Sequence, residues 1–258
     1  MPKKTALITG ASAGIGYELS RVFAQNGYDL ILVARRVDKL KALAEELKAE
    51  YGTNATVMGK DLMAQGAANV LFDEVSSAGL SVDVLVNNAG RGHYTKFLDN
   101  EVAIDEATLQ LNIVTLTTLS KLFGQAMVAQ GGGKILNVAS IAAFIPGPMM
   151  ALYNASKAYV LSFSEALNTE LKNQNVTVTA SCPGPTTSEF MALASSDKLD
   201  NLKYARFMKA DVVALEAYKA TISGRSVVVH GTVNKAITFA PRITPRAVIP
   251  KLVQRFMK

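Results

Sequence analysis

Two patterns of apolar and polar positions alternate along the chain. Short apolar runs rich in β-branched residues predict strands at 5–9, 29–34, 55–59, 82–87, 134–139, 176–181 and 226–229. Between them, apolar residues recur at helical spacing, which predicts helices from residue 15 to Gly27 and over 38–51, 67–78, 107–129, 151–172 and 211–223. Apolar strands that alternate with helices are typical of a parallel sheet covered on both faces. The pattern therefore predicts an α/β fold with a doubly wound parallel sheet.

The chain shows no internal repeat and no low-complexity linker, so we expect a single domain over residues 1–258. Within it, segment 184–209 has weak periodicity and is the candidate for a mobile lid over a substrate. A basic amphipathic tail follows over 232–258, where Pro250 could occupy the first position of a last helix.

Composition excludes several classes of protein. With 258 residues, 49% of them hydrophobic, the chain can bury one large core. No stretch reaches the roughly 18 apolar residues of a membrane span, and the N-terminal apolar run is too short for a signal peptide. Cys182 is the only cysteine, which excludes an intrachain disulfide and fits a reducing, cytoplasmic compartment. Since His93 and His230 are the only histidines, a zinc site is disfavoured and we expect no metal.

The net charge of +6 is concentrated in the tail. Six basic residues lie there, and the remaining 21 lysines and arginines match the 21 acidic residues of the chain. The body is electrically balanced, so a general nucleic-acid-binding surface is disfavoured.

A glycine-rich loop follows the first predicted strand and opens the first helix. It runs Thr9-Gly10-Ala11-Ser12-Ala13-Gly14-Ile15-Gly16. Glycines let the backbone approach a pyrophosphate closely, and the helix N-terminus adds free N–H groups and a positive dipole end. The loop contains no lysine, which disfavours a P-loop nucleotide hydrolase. A glycine-rich turn without a ligand remains the alternative.

Arg35 and Arg36 follow the second predicted strand. An acidic residue at this point would bind a ribose 2′-hydroxyl, whereas arginine accommodates a 2′-phosphate. Arg35 comes first after the strand and is the better candidate, and Ser12 could add a hydroxyl contact. The sequence therefore favours NADP over NAD, with a solvated basic helix entry as the alternative.

Tyr153 and Lys157 stand four residues apart in a predicted helix, which places them on one face. A lysine cation at about 4 Å favours an ionised phenol by roughly 4 kcal/mol at an effective dielectric near 20. This predicts a pKa for Tyr153 about three units below its ordinary value near 10, so that it could act as a general acid or base. The pair alone also arises by chance in unrelated chains.

Further motifs follow the glycine loop, namely the run Asn87-Asn88-Ala89-Gly90 and then Asn112, Ser140, Tyr153 and Lys157. In this order, they make the chain resemble the short-chain dehydrogenases/reductases from about Thr5 to Val229. The resemblance implies a Rossmann-type sheet of about seven strands and assembly as a homo-dimer or homo-tetramer. It implies Tyr153 as acid/base, Lys157 as pKa modulator and ribose anchor, and Ser140 as a hydrogen-bond partner of the substrate oxygen. Asn112 would hold a water that links Lys157 to solvent.

The resemblance also implies the contacts of the cofactor. They comprise the loop residues Gly10, Ser12, Gly14, Ile15 and Gly16, then Asp61 at the adenine, Asn88 and Gly90 along the adenosine half, and Pro183, Thr186 and Ser188 at the nicotinamide. Many relatives carry threonine at the position of Ser188. From the residues alone, Asp61 could equally be a helix N-cap, Ser140 a turn cap and Asn112 a buried polar group. Cys182 is expected in the core, and His93 in a loop.

Substrate and partners are less constrained. Segment 141–150 is almost wholly apolar and contains two methionines, which suits a lipophilic ketone or ketoacyl compound, although these side chains could simply pack a loop. The basic amphipathic tail could rest on an anionic membrane surface, or pack on its own domain or a sister subunit.

The sequence thus predicts an NADPH-dependent carbonyl reductase with Tyr153 as general acid. A dinucleotide-sensing binding protein is the main alternative, but it would not need Tyr153, Lys157 and Ser140 together. A methyltransferase shares a similar sheet and loop but usually has an acidic residue where Arg35 and Arg36 stand.

Overall fold

The computed structural model describes residues 3–187 and 207–256. Within these residues, seven parallel strands form one sheet in the order β3-β2-β1-β4-β5-β6-β7. The strands are β1 (Thr5–Thr9), β2 (Asp29–Ala34), β3 (Ala55–Gly59), β4 (Val84–Asn87), β5 (Gly133–Val138), β6 (Val176–Cys182) and β7 (Val227–Val229). The doubly wound parallel sheet predicted from the sequence is confirmed.

The helices cover both faces of this sheet. They are α1 (Gly14–Gln25), α2 (Val37–Tyr51), α3 (Ala67–Ser77), α4 (Val102–Leu109), α5 (Leu116–Ala129), α6 (Ala151–Leu171), α7 (Ala210–Ile222), α8 (Thr232–Phe239) and α9 (Ile249–Phe256). Side chains alternate along each strand, so Ile8 packs with α1, α2 and α7 on one face, and Leu7 packs with α3 and α5 on the other. No helix of the described part is long and apolar enough to cross a bilayer.

The helical stretch predicted over 107–129 is present, but it begins earlier and is not α-helical throughout. The chain begins α4 at Val102, passes through a π-helical segment at Gln110–Thr115 and continues as α5. The sequence argument did not predict the π-helical segment. Such single-turn bulges often occur at functional sites. Here the bulge carries Asn112.

The other boundaries differ by a few residues. β4 begins at Val84 rather than at residue 82, and α9 begins at Ile249, which places Pro250 at its second position. Differences of this size are ordinary for element ends.

The ends of the predicted lid, 184–209, come together. The backbone N–H of Met208 donates to the carbonyl oxygen of Pro185 at 2.9 Å, and the backbone N–H of Thr187 donates to the carbonyl oxygen of Met208 at 3.0 Å. Residues 188–206, which make up most of this segment, lie outside the described residues. The lid therefore stays a prediction.

The order of the strands positions the candidate site. β1 lies between β2 and β4, so the chain crosses to opposite sides of the sheet after β3. In such sheets, ligands bind beyond the carboxyl ends of the strands at the point where the order reverses. The loops that follow β1, β2, β4 and β5 meet at this edge.

Candidate active site

Glycines shape the loop between β1 and α1. Gly10 and Gly14 have φ angles of +68° and +56°, in the left-handed region that favours glycine. A Cβ atom on Gly16 would lie 2.3 Å from the carbonyl oxygen of Gly10. The chain therefore turns more tightly than any other residue at position 16 permits. A compact loop that leads into a helix N-terminus fits the pyrophosphate of a dinucleotide.

Asn88 ties this loop to the end of β4. Its amide nitrogen donates to the carbonyl oxygens of Thr9 at 2.9 Å and Gly10 at 3.3 Å. The Thr9 hydroxyl in turn accepts from the backbone N–H groups of Asn88 and Ala89, both at 3.0 Å. The structure thus gives Asn88 a support role for the loop. Its predicted place beside the adenosine half stays a prediction.

Two arginines follow β2. Arg35 is exposed, whereas the half-buried Arg36 donates through its guanidinium to the Ser12 hydroxyl at 3.1 Å. Because Ser12 belongs to the glycine loop, this contact spans the gap between the carboxyl ends of β1 and β2. Arg36 therefore lies beside the loop, and the contact of Arg35 with a 2′-phosphate stays a prediction.

Asp61, Ile15 and Gly90 complete the predicted adenosine side. Asp61 is exposed after β3, and its carboxylate accepts from the backbone N–H of Met63 at 3.1 Å. Asp61 therefore caps a turn through its Oδ1 atom. Its Oδ2 atom takes no part in this hydrogen bond. Ile15 packs on the core beneath the loop. A Cβ atom on Gly90 would lie 3.3 Å from the Lys157 ammonium, so only glycine lets the chain pass this group without crowding.

Ser140 and Tyr153 meet where β5 ends. Ser140 begins a short 3₁₀ turn at Ile141–Phe144, and its hydroxyl oxygen accepts from the backbone N–H of Ala142 at 3.1 Å. A hydrogen bond joins the Ser140 hydroxyl to the Tyr153 phenol. Ser140 therefore caps a turn and also lies at the phenol, and its hydrogen bond to a substrate oxygen stays a prediction.

Lys157 follows Tyr153 by one helical turn and is buried. Its ammonium donates to the carbonyl oxygen of Val138, the last residue of β5, at 2.8 Å. The same nitrogen lies 5.8 Å from the centre of the Tyr153 ring. Helix α6 therefore holds the cation beside the phenol and against the end of β5.

The pKa prediction for Tyr153 was wrong. Burial raises the pKa of the phenol above its ordinary value, and the hydrogen bond from Ser140 only partly opposes this. Burial also lowers the pKa of Lys157 to about 8. The sequence argument weighed the attraction of the cation and left out the cost of removing the phenolate from water. At neutral pH the phenol keeps its proton.

Asn112 joins the π-helical segment to the loop after β4 and to α6. The side-chain oxygen of Asn112 accepts from the backbone N–H of Arg91 at 3.0 Å, and its side-chain nitrogen donates to the backbone carbonyl oxygen of Arg91 at 2.8 Å. The same nitrogen donates to the Ser156 hydroxyl at 3.0 Å, which donates to the carbonyl oxygen of Tyr153 at 2.7 Å. Asn112 thereby fixes three elements relative to each other. The water that the resemblance assigns to it stays a prediction.

The segment after β6 contains the residues predicted to contact the nicotinamide. The carbonyl oxygen of Pro183 accepts from the backbone N–H of Ile141 at 2.9 Å, and the buried Thr186 donates through its hydroxyl to Gly184 at 3.0 Å. These bonds place Pro183 beside the Ser140 turn. Ser188 lies outside the described residues, so its contact with the carboxamide stays a prediction.

A cleft beside Tyr153 is open to solvent, and its empty space, part of which is open solvent, is about 320 Å³. One part of its wall is apolar, formed by Phe97, Met149, Met150, Ala151 and Leu152; the polar part comprises His93, Thr95, Asn100, Asp105 and Thr108. Of the apolar segment predicted over 141–150, only the two methionines line this cleft, because Ile141–Phe144 turns away and Phe144 packs on Cys182 and its neighbours. The cleft is therefore amphipathic rather than wholly apolar.

Two features of the cleft go beyond the sequence argument. His93 accompanies Tyr153 in the cleft wall, whereas the sequence argument gave it no role beyond a loop position. Met149 adopts a left-handed φ of +70°, and its carbonyl oxygen accepts from the backbone N–H of Thr95 at 2.9 Å. This bond joins the two loops that form the walls. The position of His93 three residues after Gly90, in the loop that leaves β4, was the signal that could have identified it.

His230, to which the sequence gave no role, lies buried at the end of β7. Its ring nitrogens contact the Ser181 hydroxyl and the Glu216 carboxylate, both at 2.8 Å. Burial lowers the pKa of His230, and the Glu216 carboxylate opposes this. The contacts connect β6, β7 and α7. Because Ser181 is also buried, this group of side chains stabilises the sheet edge and offers no access to a substrate.

Comparison with known proteins agrees with this geometry. A family model described as short chain dehydrogenase matches residues 4–199. The very-long-chain 3-oxoacyl-CoA reductase of Phaeosphaeria nodorum is 36% identical over a stretch that covers 67% of this chain and 52% of that protein. The chain spans about half the length of the first curated relatives it matches.

Solved structures match over almost the whole chain. A short-chain dehydrogenase from Sphingobium yanoikuyae in complex with NADPH is 30% identical, with a TM-score of 0.83 and coverage of 93% of both chains. The bulky-bulky ketone specific alcohol dehydrogenase from Comamonas testosteroni is 26% identical, with a TM-score of 0.79 and coverage of 96% of this chain and 97% of that chain. Because the family model covers well over half of its residues, the chain belongs to the short chain dehydrogenase family of oxidoreductases.

Proposed function

We propose that this protein is an NADPH-dependent reductase that converts a lipophilic ketone or 3-oxoacyl compound into an alcohol. The observation that carries the proposal is the meeting of Ser140, Tyr153 and Lys157 at an open cleft. The glycine loop lies at the same edge of the sheet. A dinucleotide-sensing protein would need the loop but not this group of side chains.

The cofactor supplies a hydride to the carbonyl carbon when bound. Tyr153 donates the proton to the carbonyl oxygen, and its raised pKa keeps that proton in place at neutral pH until charge develops on the oxygen. Ser140 has one hydroxyl proton, which it donates to the phenol in this structure and could donate to the carbonyl oxygen of a bound substrate instead. The Lys157 ammonium lies close enough to stabilise the phenolate that proton transfer leaves behind.

The residues at the glycine loop suit NADPH. Gly16 leaves no room for a side chain, as a bound pyrophosphate requires, and Arg35 and Arg36 bring two cations to the place expected for a 2′-phosphate. The related Sphingobium structure contains NADPH. Thr186 and Pro183 would contact the nicotinamide end, and Asp61 the adenine.

The cleft favours a substrate with both an apolar part and a polar group. Met149, Met150 and Leu152 form adaptable apolar walls near Tyr153. The similar proteins named above act, by their names, on 3-oxoacyl-CoA and on bulky ketones. A ketone with an extended chain or an acyl group is therefore the substrate class we propose.

The proposed chemistry is tested by replacing the phenol. The Y153F variant should reduce ketones with a kcat/KM about 10³-fold lower, because general acid catalysis contributes about 10²–10⁴-fold. NADPH affinity should change less than about threefold, since a single hydroxyl is lost away from the loop. NADPH consumption with a panel of ketones measures the first effect and fluorescence titration the second.

A matched control lies on the same helix. Tyr159 is exposed and its hydroxyl contacts that of Thr117 at 2.9 Å, so Y159F should leave turnover unchanged. Full turnover by Y153F on an accepted ketone would contradict the proposed mechanism. Absence of turnover by the wild type on every carbonyl compound, with tight NADPH binding, would favour the dinucleotide-sensing alternative.

We also propose that the tail contacts an anionic membrane. Ile249 is buried and anchors α9 to the body, but other apolar residues of the tail are exposed, namely Val233, Ile237, Phe239, Ile243, Val248 and Leu252. Lys251 and Arg255 are exposed on α9, and no acidic residue follows Glu216. An exposed apolar surface next to basic residues suits an interfacial helix.

Vesicle flotation tests this contact. The wild type should float with vesicles that contain phosphatidylserine and not with pure phosphatidylcholine vesicles, and the variant K251E/R255E should bind neither. Activity on soluble ketones should be unchanged in that variant. Equal flotation of the wild type and K251E/R255E would show that the tail does not act through its charges.

Finally, we propose a homo-oligomer of dimer or tetramer type. Val102, Leu109 and Val114 expose apolar side chains along α4 and the π-helical segment, with Val102 at 72% exposure. Burying such a surface against a second copy removes it from water. Light scattering should give at least twice the chain mass; a monomer at micromolar concentration would contradict this.

A further inference from the structure

His93 lies in the wall of the cleft that Tyr153 also lines, and the chemistry proposed above does not use it. The imidazole is half-buried, and its Nε2 atom lies 2.6 Å from a terminal guanidinium nitrogen of Arg91. A guanidinium can only donate hydrogen bonds. Nε2 must therefore accept, and the ring proton of the neutral imidazole is placed on Nδ1.

The surroundings of His93 favour the neutral form of the imidazole ring. Burial and the nearby Arg91 cation both lower the pKa of His93, and Asp105 on the cleft wall opposes this only in part. Asp105 is itself engaged, since it accepts from the Asn100 amide at 2.6 Å. His93 is therefore a neutral side chain with one N–H donor of defined position.

Arg91 is held firmly enough to set this tautomer. Asn112 bonds to both the N–H and the carbonyl oxygen of Arg91, so the backbone at this point cannot shift freely. One guanidinium nitrogen contacts the sulfur of Met63 at 3.3 Å while another contacts His93. The side chain is thus fixed at two points beyond the backbone, and the direction of the imidazole follows from it.

We propose that Nδ1–H of His93 donates a hydrogen bond to a second, neutral acyl oxygen of the substrate, away from the carbonyl that is reduced. A carboxylate is disfavoured as this group because Asp105 lines the same cleft. An ester, thioester or amide carbonyl carries the required acceptor without a charge. His93 is thus a specificity-determining residue that favours oxoacyl compounds over simple ketones, an inference that rests on the proposed reduction.

A matched pair of substrates tests this assignment. Ethyl 3-oxohexanoate and 4-nonanone have chains of equal length and a ketone at comparable positions, but only the first has an acyl carbonyl. The H93F variant should lose about tenfold or more in kcat/KM on the oxo ester and less than about threefold on 4-nonanone, as expected for one hydrogen bond to a buried donor. The loss should appear mainly in KM, because the contact is away from the reacting atoms.

The H93N variant is the conservative control. Its side-chain amide can place an N–H near the position of Nδ1–H, so it should restore the preference for the oxo ester to within about threefold of the wild type. NADPH affinity and melting temperature should match the wild type in both variants.

Other outcomes overturn the proposal. Equal losses by H93F on both substrates would reduce His93 to a packing residue, and no loss on either would mean that it does not contact the substrate. Failure of H93N to restore the preference would contradict the assigned donor. In each case turnover of 4-nonanone by the wild type, and its loss in Y153F, would leave the proposed reduction intact.

Discussion

The cofactor loop and the substrate cleft meet at Tyr153 but are built in different ways. The loop between β1 and α1 depends on the backbone, because Gly10 and Gly14 adopt left-handed conformations and Gly16 has no space for a Cβ atom. The cleft depends on side chains from two separate segments, 93–108 and 149–153, joined by the bond between Thr95 and Met149. The first region tolerates almost no change in shape, whereas the second can change by substitution of single side chains.

This difference teaches how one fold serves many substrates. A rigid loop would fix a bound cofactor relative to Tyr153, so that the reacting atoms would keep one geometry. The cleft walls can then vary without disturbing that geometry, which is why function resides in the site walls rather than in the fold.

The largest effect should follow from crowding the loop. In G16A the new Cβ atom would lie 2.3 Å from the Gly10 carbonyl oxygen and 2.4 Å from the Asn88 amide. Both neighbours must move, and a displacement near 1 Å of a bound cofactor can lower the reaction rate about 10²-fold. Ketone reduction by G16A should therefore fall about 100-fold or more in kcat/KM, and NADPH affinity, measured by titration, should also fall.

Gly124 provides the control for G16A. It also lies within a helix, but a Cβ there would meet the Ile135 side chain at an ordinary 3.7 Å. G124A should bind NADPH as the wild type does and be at least as stable, since alanine is the better helix former. Wild-type affinity in G16A would show that the loop is less rigid than this geometry requires.

The next effect concerns the cost of burying Lys157. Its pKa is lowered from 10.5 to about 8, so the native state gives up its proton at a lower pH than the unfolded chain. Below pH 8 the buried cation costs stability, by about 3 kcal/mol on this shift, and the cost is relieved as the pH rises from 8 to 10.5. K157M should thus unfold with a larger free energy than the wild type at pH 7, and the difference should shrink towards pH 9.5.

Urea unfolding at several pH values measures this difference. Contributions from Tyr153 and Cys182 are common to both proteins and cancel in the comparison. K121M, which removes an exposed lysine of α5, is the control for the loss of a lysine that is not buried. A constant difference for K157M would show that the Lys157 ammonium is not destabilised by burial.

A smaller and more selective effect is expected at the 2′-phosphate. R35A should weaken NADPH by about 2 kcal/mol, or about 30-fold, because a charge-assisted hydrogen bond is lost, and should barely affect NADH. R36A removes the second cation proposed for this site together with the contact with the Ser12 hydroxyl, so it should also weaken NADPH. If both cofactors lost affinity equally in R35A, Arg35 would not contact the phosphate.

The sequence predicted the loop better than the cleft for a physical reason. A strand, a glycine-rich turn and a helix are consecutive in the chain, so their geometry follows from local rules that the sequence displays. The seven strands were predicted for the same reason, with boundaries that differ by only a few residues. Ser140, Tyr153 and Lys157 were found because they occur in a recognisable order.

Features that depend on tertiary packing were not predictable. The π-helical turn at Asn112 is a change in backbone hydrogen bonding, which the sequence argument did not predict. The raised pKa of Tyr153 depends on its burial, which a spacing of four residues does not reveal. His93 and Asp105 come from different elements, and only the folded chain brings them to one cleft.

The smallest expected effect tests the cleft itself. Each methylene that leaves water contributes about 0.8 kcal/mol, so kcat/KM should rise about threefold or more per methylene along a series of methyl ketones. The increase in kcat/KM should stop when the ketone fills the apolar part of the cleft, which Met149, Met150 and Leu152 line. M150A enlarges this part, so its increase should continue to longer ketones while NADPH affinity stays the same. A flat series would contradict the lipophilic substrate, and a change in NADPH affinity in M150A would show that the cleft and the cofactor loop are not independent.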